Sequence, residues 1–157
     1  MGNIDGSEPQ IEVVLTTRDK ILPLRHEILR KGYPVEASIY AQDLLPEAVH
    51  LAIQQDNEII CVCTVFPSRH DAFPELSQYQ LRGMACDASS RNQGFGKVLA
   101  MEAIKIAKER QAELLWCNAR KVAFNFYERL GFKYYGEYFN SVEDIPHKVM
   151  FLKLSSN

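Results

Sequence analysis

Apolar and polar positions along this chain fall into short runs, and their period switches between two and 3.6 at recognisable points. Ile11 to Thr16 (IEVVLT) is rich in β-branched residues and predicts a strand. Thr17 is placed to cap the helix that follows, with Lys20 where a capping box would carry Glu, so the cap is partial. Ile21, Leu24, Ile28 and Leu29 then recur at helical spacing, and Lys31-Gly32 ends the helix. The stretch from Tyr33 to Pro46 has no clear period and reads as a loop with one short helix. Val49 to Gln54 and Glu58 to Phe66 predict two antiparallel strands joined by a tight turn at Gln55-Asp56-Asn57. Pro67 to Pro74 (PSRHDAFP) reads as a polar surface loop. Ser77 to Cys86 predicts another strand, in which Gly83 signals a bulge or a close backbone approach.

Asp87 to Gly96 (DASSRNQGFG) is a polar, glycine-bearing loop leading into an amphipathic helix from about Lys97 to Gln111. On that helix Val98, Met101, Ile104 and Ala107 form the predicted apolar line, with Glu102, Lys105, Lys108 and Glu109 toward water. Leu114 to Cys117 reads as a short buried strand that carries Trp116 into the core, and Lys121 to Leu130 as a helix closed by Gly131. Phe132 to Phe139 and Val149 to Leu154 close the chain as strands. This order predicts a mixed α/β (α+β) fold, a mixed sheet of about six or seven strands with helices on both faces.

With 157 residues the chain suffices for one core, placed at residues 11–154, with 1–10 as a disordered N-terminus. An apolar share of 46% and a charged share of 24% suit a globular protein. The 18 basic and 20 acidic residues leave a net charge of -2, which excludes an electrostatic case for nucleic acid or an anionic membrane. No spanning segment and no secretory leader are read, and Gly6 stands where a myristoylation pattern would need Ser or Thr, so a cytoplasmic location is expected. Cys61, Cys63, Cys86 and Cys117 lack metal-ligand spacing, so no metal is expected and buried reduced thiols are.

The chemistry concentrates at Arg91-Asn92-Gln93-Gly94-Phe95-Gly96, between a strand and a helix. Amides at a helix start lack intrahelical acceptors, and the helix dipole makes that end partly positive. Glycines let a phosphate approach those amides, while Arg91 and Lys97 add formal charge. The dinucleotide fingerprint fails at Leu99, where it needs Gly or Ala. A Walker A loop fails at Arg91 and Val98. The loop does fit [R/Q]-x-x-G-x-[G/A]. Together with "LRGMACDASSRNQGFGKVL" and "WCNARKVAFNFYERLGFKYYGE", it makes the second half of the chain resemble the GNAT superfamily of acyl-CoA N-acyltransferases. The closing "EDIPHKVMFLKL" is similar to the tail of one bacterial branch of small members.

The resemblance implies acetyl-CoA as acyl donor and a primary amine, in the first instance a small molecule, as acceptor. It implies that the backbone of Met84, Ala85 and Cys86 pairs with the pantetheine arm, and that Arg91, Asn92, Gln93, Gly94, Phe95, Gly96 and Lys97 hold the pyrophosphate. It makes Asn118 and Asn125 polar contacts to the coenzyme and Tyr127 the group beside the thioester sulfur. The implied reaction is direct attack by a neutral amine in a ternary complex. An amide of Ala85 or Cys86 would stabilise the oxyanion, and Tyr127 would protonate the leaving thiolate. Many relatives carry a glutamate on the central strand, but Gln78 to Cys86 holds no acidic residue, and Arg82 is its only charge. The base is left open among His147, Glu137, a water chain and a substrate amine that is already neutral. Arg82 either binds an anionic acceptor group or braces the strand. Rival readings are a transferase for protein or peptide amines and a CoA-binding module without turnover; monomer and homodimer both remain open.

Overall fold

The computed structural model describes residues 11–140 and 144–154; residues 1–10, expected to be disordered, lie outside the described residues. Its strands are β1 (Ile11–Thr16), β2 (Val49–Gln55), β3 (Glu58–Pro67), β4 (Gln78–Cys86), β5 (Leu114–Arg120), β6 (Lys133–Asn140) and β7 (Pro146–Lys153). They form a seven-stranded sheet in the order β1-β2-β3-β4-β5-β7-β6. Only β4 and β5 run parallel; the other neighbours are antiparallel. The final strand thus inserts between β5 and β6 rather than adding at the edge.

Three α-helices, α1 (Arg18–Leu29), α2 (Phe95–Glu109) and α3 (Phe124–Arg129), accompany the sheet. Alternation along the strands divides the core in two. Leu51, Ile53, Cys61, Cys63 and Val65 pack with Leu99, Ala103 and Ile106 of α2, while Ala52 and Val62 pack with Ile21 and Leu24 of α1. Helices therefore cover both faces, as the patterning predicts. The β2–β3 hairpin turns on Asp56 and Asn57, both left-handed with φ of 51° and 71°, the conformation of a two-residue primed turn.

Several local expectations are corrected. Thr17 precedes α1, but its side chain makes no capping hydrogen bond. The Tyr33–Pro46 stretch holds two 3₁₀ turns, Val35–Ser38 and Ala41–Leu44, not one helix. On α2 the buried face is Leu99, Ala100, Ala103, Ile104, Ile106 and Ala107, while Val98 and Met101 are 47% and 52% exposed. Small alanines, not the larger apolar side chains, let this helix lie close on the sheet. Nor is the 67–74 loop wholly at the surface: Phe73 is buried against Leu114, Trp116 and Val149. Trp116 itself is buried, and its indole N–H donates to the Ser68 carbonyl at 2.9 Å.

The expectation of four reduced thiols fails for two of them. The β3–β4 register sets Cys61 directly opposite Cys86, with Cα atoms 4.0 Å apart, and the two form a disulfide. Spacing along the chain carries no sign of this pair, because the partner of Cys61 comes from the next strand. Cys63 and Cys117 are free and buried, and burial pushes the Cys63 thiol up to about 12.

Candidate active site

The site begins with a failure of strand pairing. β4 and β5 pair only over Gln78–Gln80 and Leu114–Trp116; beyond them the strands separate. From Leu81 to Cys86 one edge of β4 loses its partner, as does the facing edge of β5 from Cys117 to Arg120. Backbone donors and acceptors there stand ready for an extended ligand to pair like an added strand. Between the strands opens a cleft of about 960 Å³, lined among others by Met84, Cys86, Asn118, Tyr127 and His147.

A bulge aims β4 into this cleft. Val62 pairs with Ala85 and Thr64 with Arg82, so Cys63 faces both Gly83 and Met84. Gly83 has φ of 71°, and a Cβ there would meet Arg25 Nε at 3.0 Å and the Tyr40 ring at 3.1 Å. Both meanings read from that glycine, bulge and close approach, are present.

At the far end of β4, the 3₁₀ turn Ala88–Ser90 and the loop 91–94 deliver the chain into α2. Asn92 and Gly94 are left-handed, with φ of 64° and 83°. The first intrahelical bond of α2 runs from Val98 N–H to the Gly94 carbonyl at 3.1 Å, so the amides of Phe95, Gly96 and Lys97 have no acceptor within the helix. Nothing lies within 4 Å of a Cβ built on Gly94, so the mouth of the cradle is open. Arg91, Asn92, Gly94, Phe95, Gly96 and Lys97 line the cleft; the Gln93 side chain instead bonds the Ser89 carbonyl at 3.3 Å. Arg91 Nε reaches the Cys86 carbonyl at 3.4 Å.

The other residues read from the sequence fall as follows. Met84 and Cys86 line the cleft, whereas the Ala85 side chain is buried toward α1. Asn118 on β5 and Asn125 on α3 both line it and are exposed. Tyr127 is 6% exposed, lines the cleft, and packs edge-on against Phe126 and Phe132. Burial pushes its phenol well above the usual value, and the nearby Cys117 and Cys63 thiols add to the shift. His147, buried on β7, stacks on Phe139 and donates from Nδ1 to the Ile145 carbonyl at 2.8 Å. That tautomer leaves Nε2 as the basic nitrogen of the neutral ring. Glu137 sits exposed on β6 and is not among the cleft's lining residues.

Sequence reading found Arg82 on the α1 side of the cleft but missed its neighbours there. Tyr40, from the segment with no legible period, lines it together with Arg30 and Arg120. Beneath Tyr40 lies a buried pair: Arg25 Nη1 and Nη2 contact the two Asp43 carboxylate oxygens at 2.8 and 3.1 Å, and both side chains are fully buried. Arg25 also donates to Thr64 Oγ1 and the Ser38 carbonyl, and Asp43 accepts from the Tyr40 amide. Arg25 lies four residues after Ile21 and three before Ile28, on the buried face of α1, so helical spacing marks its burial, whereas its charge argues against it and its partner Asp43 comes from a segment with no period.

Comparison with known proteins agrees with this geometry. Residues 18–132 match the family model of the Acetyltransferase (GNAT) family. The chain belongs to the GNAT family. Among curated relatives, the uncharacterized N-acetyltransferase YitI of Bacillus subtilis is 32% identical over 151 residues, spanning 94% of this chain and 99% of that one. Among solved structures, an acyl-CoA N-acyltransferase from Pseudomonas aeruginosa superposes with a TM-score of 0.74 at 20% identity, covering 90% of this chain and 99% of that one. An aminoglycoside 6'-N-acetyltransferase complexed with coenzyme A gives 0.71 at 15% identity, covering 90% and 96%. The GNAT assignment makes this chain an acyltransferase. No helix among the described residues is long and apolar enough to cross a membrane.

Proposed function

We propose that this GNAT protein transfers an acetyl group from acetyl-CoA to a primary amine of a small molecule, in a ternary complex without an acyl-enzyme. The observation that carries this reading is the unpaired edge of β4 beyond Gln80, running toward the open N-terminus of α2. Amides of Phe95, Gly96 and Lys97, with the Arg91 and Lys97 side chains, would hold the diphosphate. The β4 edge at Met84 to Cys86 would take the pantetheine arm, and Asn118 and Asn125 would add polar contacts from β5 and α3. An amide of Ala85 or Cys86 would receive the oxyanion that develops when the amine nitrogen bonds to the acetyl carbon. As the C–S bond breaks, Tyr127 would give its proton to the departing sulfur. His147 is the base we favour to take the proton released by the amine, because it lines the cleft and Glu137 does not.

Incubating the protein with acetyl-CoA and a pool of amines tests the assignment: an acceptor gaining the mass of one acetyl group, with release of free CoA, supports it. Coenzyme binding without transfer to any amine, small or peptidic, would support a binding module instead.

Two substitutions test the roles. Tyr127→Phe is expected to lower kcat by about a hundredfold, the usual worth of a positioned acid, while leaving CoA affinity nearly unchanged. Because an acid works in its protonated form and burial raises this phenol, kcat of the parent should show no alkaline fall from Tyr127 below about pH 10. An unchanged rate in Tyr127→Phe removes it from the mechanism. His147→Ala is expected to abolish the acid limb of the kcat/KM profile, because a base must be unprotonated to take the amine's proton. A limb that survives acquits His147.

A further inference from the structure

Arg82 projects from β4 just before the Gly83 bulge and lines the cleft beside Tyr40. Two guanidiniums share the Tyr40 ring: Arg25 lies 4.0 Å and Arg82 3.8 Å from its centroid. Their electrostatic situations differ. Arg25 is neutralised by two contacts to Asp43. Among the described residues the Arg82 side chain makes no hydrogen bond and no ion pair; it lies on the Tyr40 ring, with the Asp43 charge acting on it without direct contact. It is half-buried, and desolvation is the largest influence on it, lowering its pKa. A cation held partly out of water with no carboxylate in contact is costly, and an aromatic face compensates in part.

Arg30 Nη1 and Arg120 Nη2 both donate to the Leu29 carbonyl, at 2.9 and 3.0 Å, which gathers two further guanidiniums where α1 ends. Among the described residues, no Asp or Glu lines the cleft. This cationic group lies on the α1 side, whereas α2, whose first turn forms the diphosphate cradle, packs on the other face of the sheet. The Arg82 guanidinium and the diphosphate cradle therefore belong to two separate regions of the cleft.

Resting on the acyltransferase reading of the cleft, we propose that the acceptor amine carries an anionic group, a carboxylate or a phosphate, which docks on the Arg82 guanidinium. The planar guanidinium can give two parallel N–H bonds to either group, and Tyr40 fixes its plane. The same guanidinium selects against polyamines and other cationic acceptors, which would meet like charge at Arg82. Docking the anion at the α1 end would leave the amine of a short molecule to extend toward the β4 bulge.

The test measures kcat/KM for matched acceptors with acetyl-CoA: an amino acid, its amide, an aminoalkyl phosphate and a diamine. The amino acid or the phosphate is expected to exceed the amide by roughly tenfold to a hundredfold, the worth of a charge-assisted pair; the better of the two identifies the anion. In Arg82→Gln that preference should fall to within about threefold, while Arg82→Lys keeps part of it. Acetyl-CoA affinity by calorimetry should stay within about twofold in both variants, since the coenzyme's diphosphate lies at the other region. Preference for the amide or the diamine, an undiminished preference in Arg82→Gln, or lost acetyl-CoA affinity would each overturn the proposal and leave the acyltransferase reading standing. Folded parent protein that binds acetyl-CoA and acetylates none of the amines overturns both.

Discussion

Asp43→Ala should destabilise the fold by about 3–5 kcal/mol, the largest stability effect expected of a single substitution here. The substitution leaves the Arg25 guanidinium fully buried without its counterion. It also takes the acceptor from the Tyr40 amide. Charge is the main component, because Arg25 keeps its bonds to Thr64 Oγ1 and the Ser38 carbonyl. Asp43→Asn, which can still accept hydrogen bonds but has no charge, should fall between parent and Asp43→Ala. Denaturant midpoints at constant m-value give these differences. A loss below about 1 kcal/mol would mean that water reaches Arg25 and that the pair does not brace the α1 side of the cleft.

Gly94→Glu should weaken coenzyme A binding by about a hundredfold or more, through two additive causes. A side chain at φ of 83° must adopt the left-handed region, at a cost of about 1–2 kcal/mol. The added carboxylate then stands at the α2 N-terminus, where the diphosphate is to bind, and repels it. Because nothing lies within 4 Å of the new Cβ, the fold itself should accommodate the residue. Gly94→Ala separates the two causes, keeping the strain without the charge, and should lose only a few-fold in affinity. Calorimetric titration of both variants decides; Gly94→Glu binding within about threefold of the parent would remove the loop from diphosphate recognition.

These two sites differ in how far the sequence announced them. The 91–96 loop was legible because its requirements are local: left-handed positions at Asn92 and Gly94, a helix starting at Phe95, and cations on either side. Gly83 was legible for the same reason, as a glycine where a strand pattern has no use for one. The hairpin at Asp56-Asn57 likewise followed from nearby residues. Features set by contacts between distant segments were not. The insertion of β7 between β5 and β6 depends on edge pairing, not on any motif. The Cys61–Cys86 disulfide depends on the β3–β4 register, shifted by one residue at the Gly83 bulge. Arg25, Asp43 and Tyr40 come from a helix and a stretch without period, and only folding brings them under the cleft. The error on α2 had another cause, since apolar size was weighted over the closeness of approach that Ala100, Ala103 and Ala107 permit.

The central claim is that the parted strands β4 and β5 and the start of α2 form one binding site for an acylated coenzyme. Isothermal titration of the folded protein with acetyl-CoA tests it most directly, with dephospho-CoA and pantetheine as truncated ligands. One site per chain is expected, with affinity that drops sharply once the diphosphate is removed and no comparable binding of NAD or ATP. Absence of acetyl-CoA binding, or equal binding of pantetheine and the full coenzyme, would contradict it.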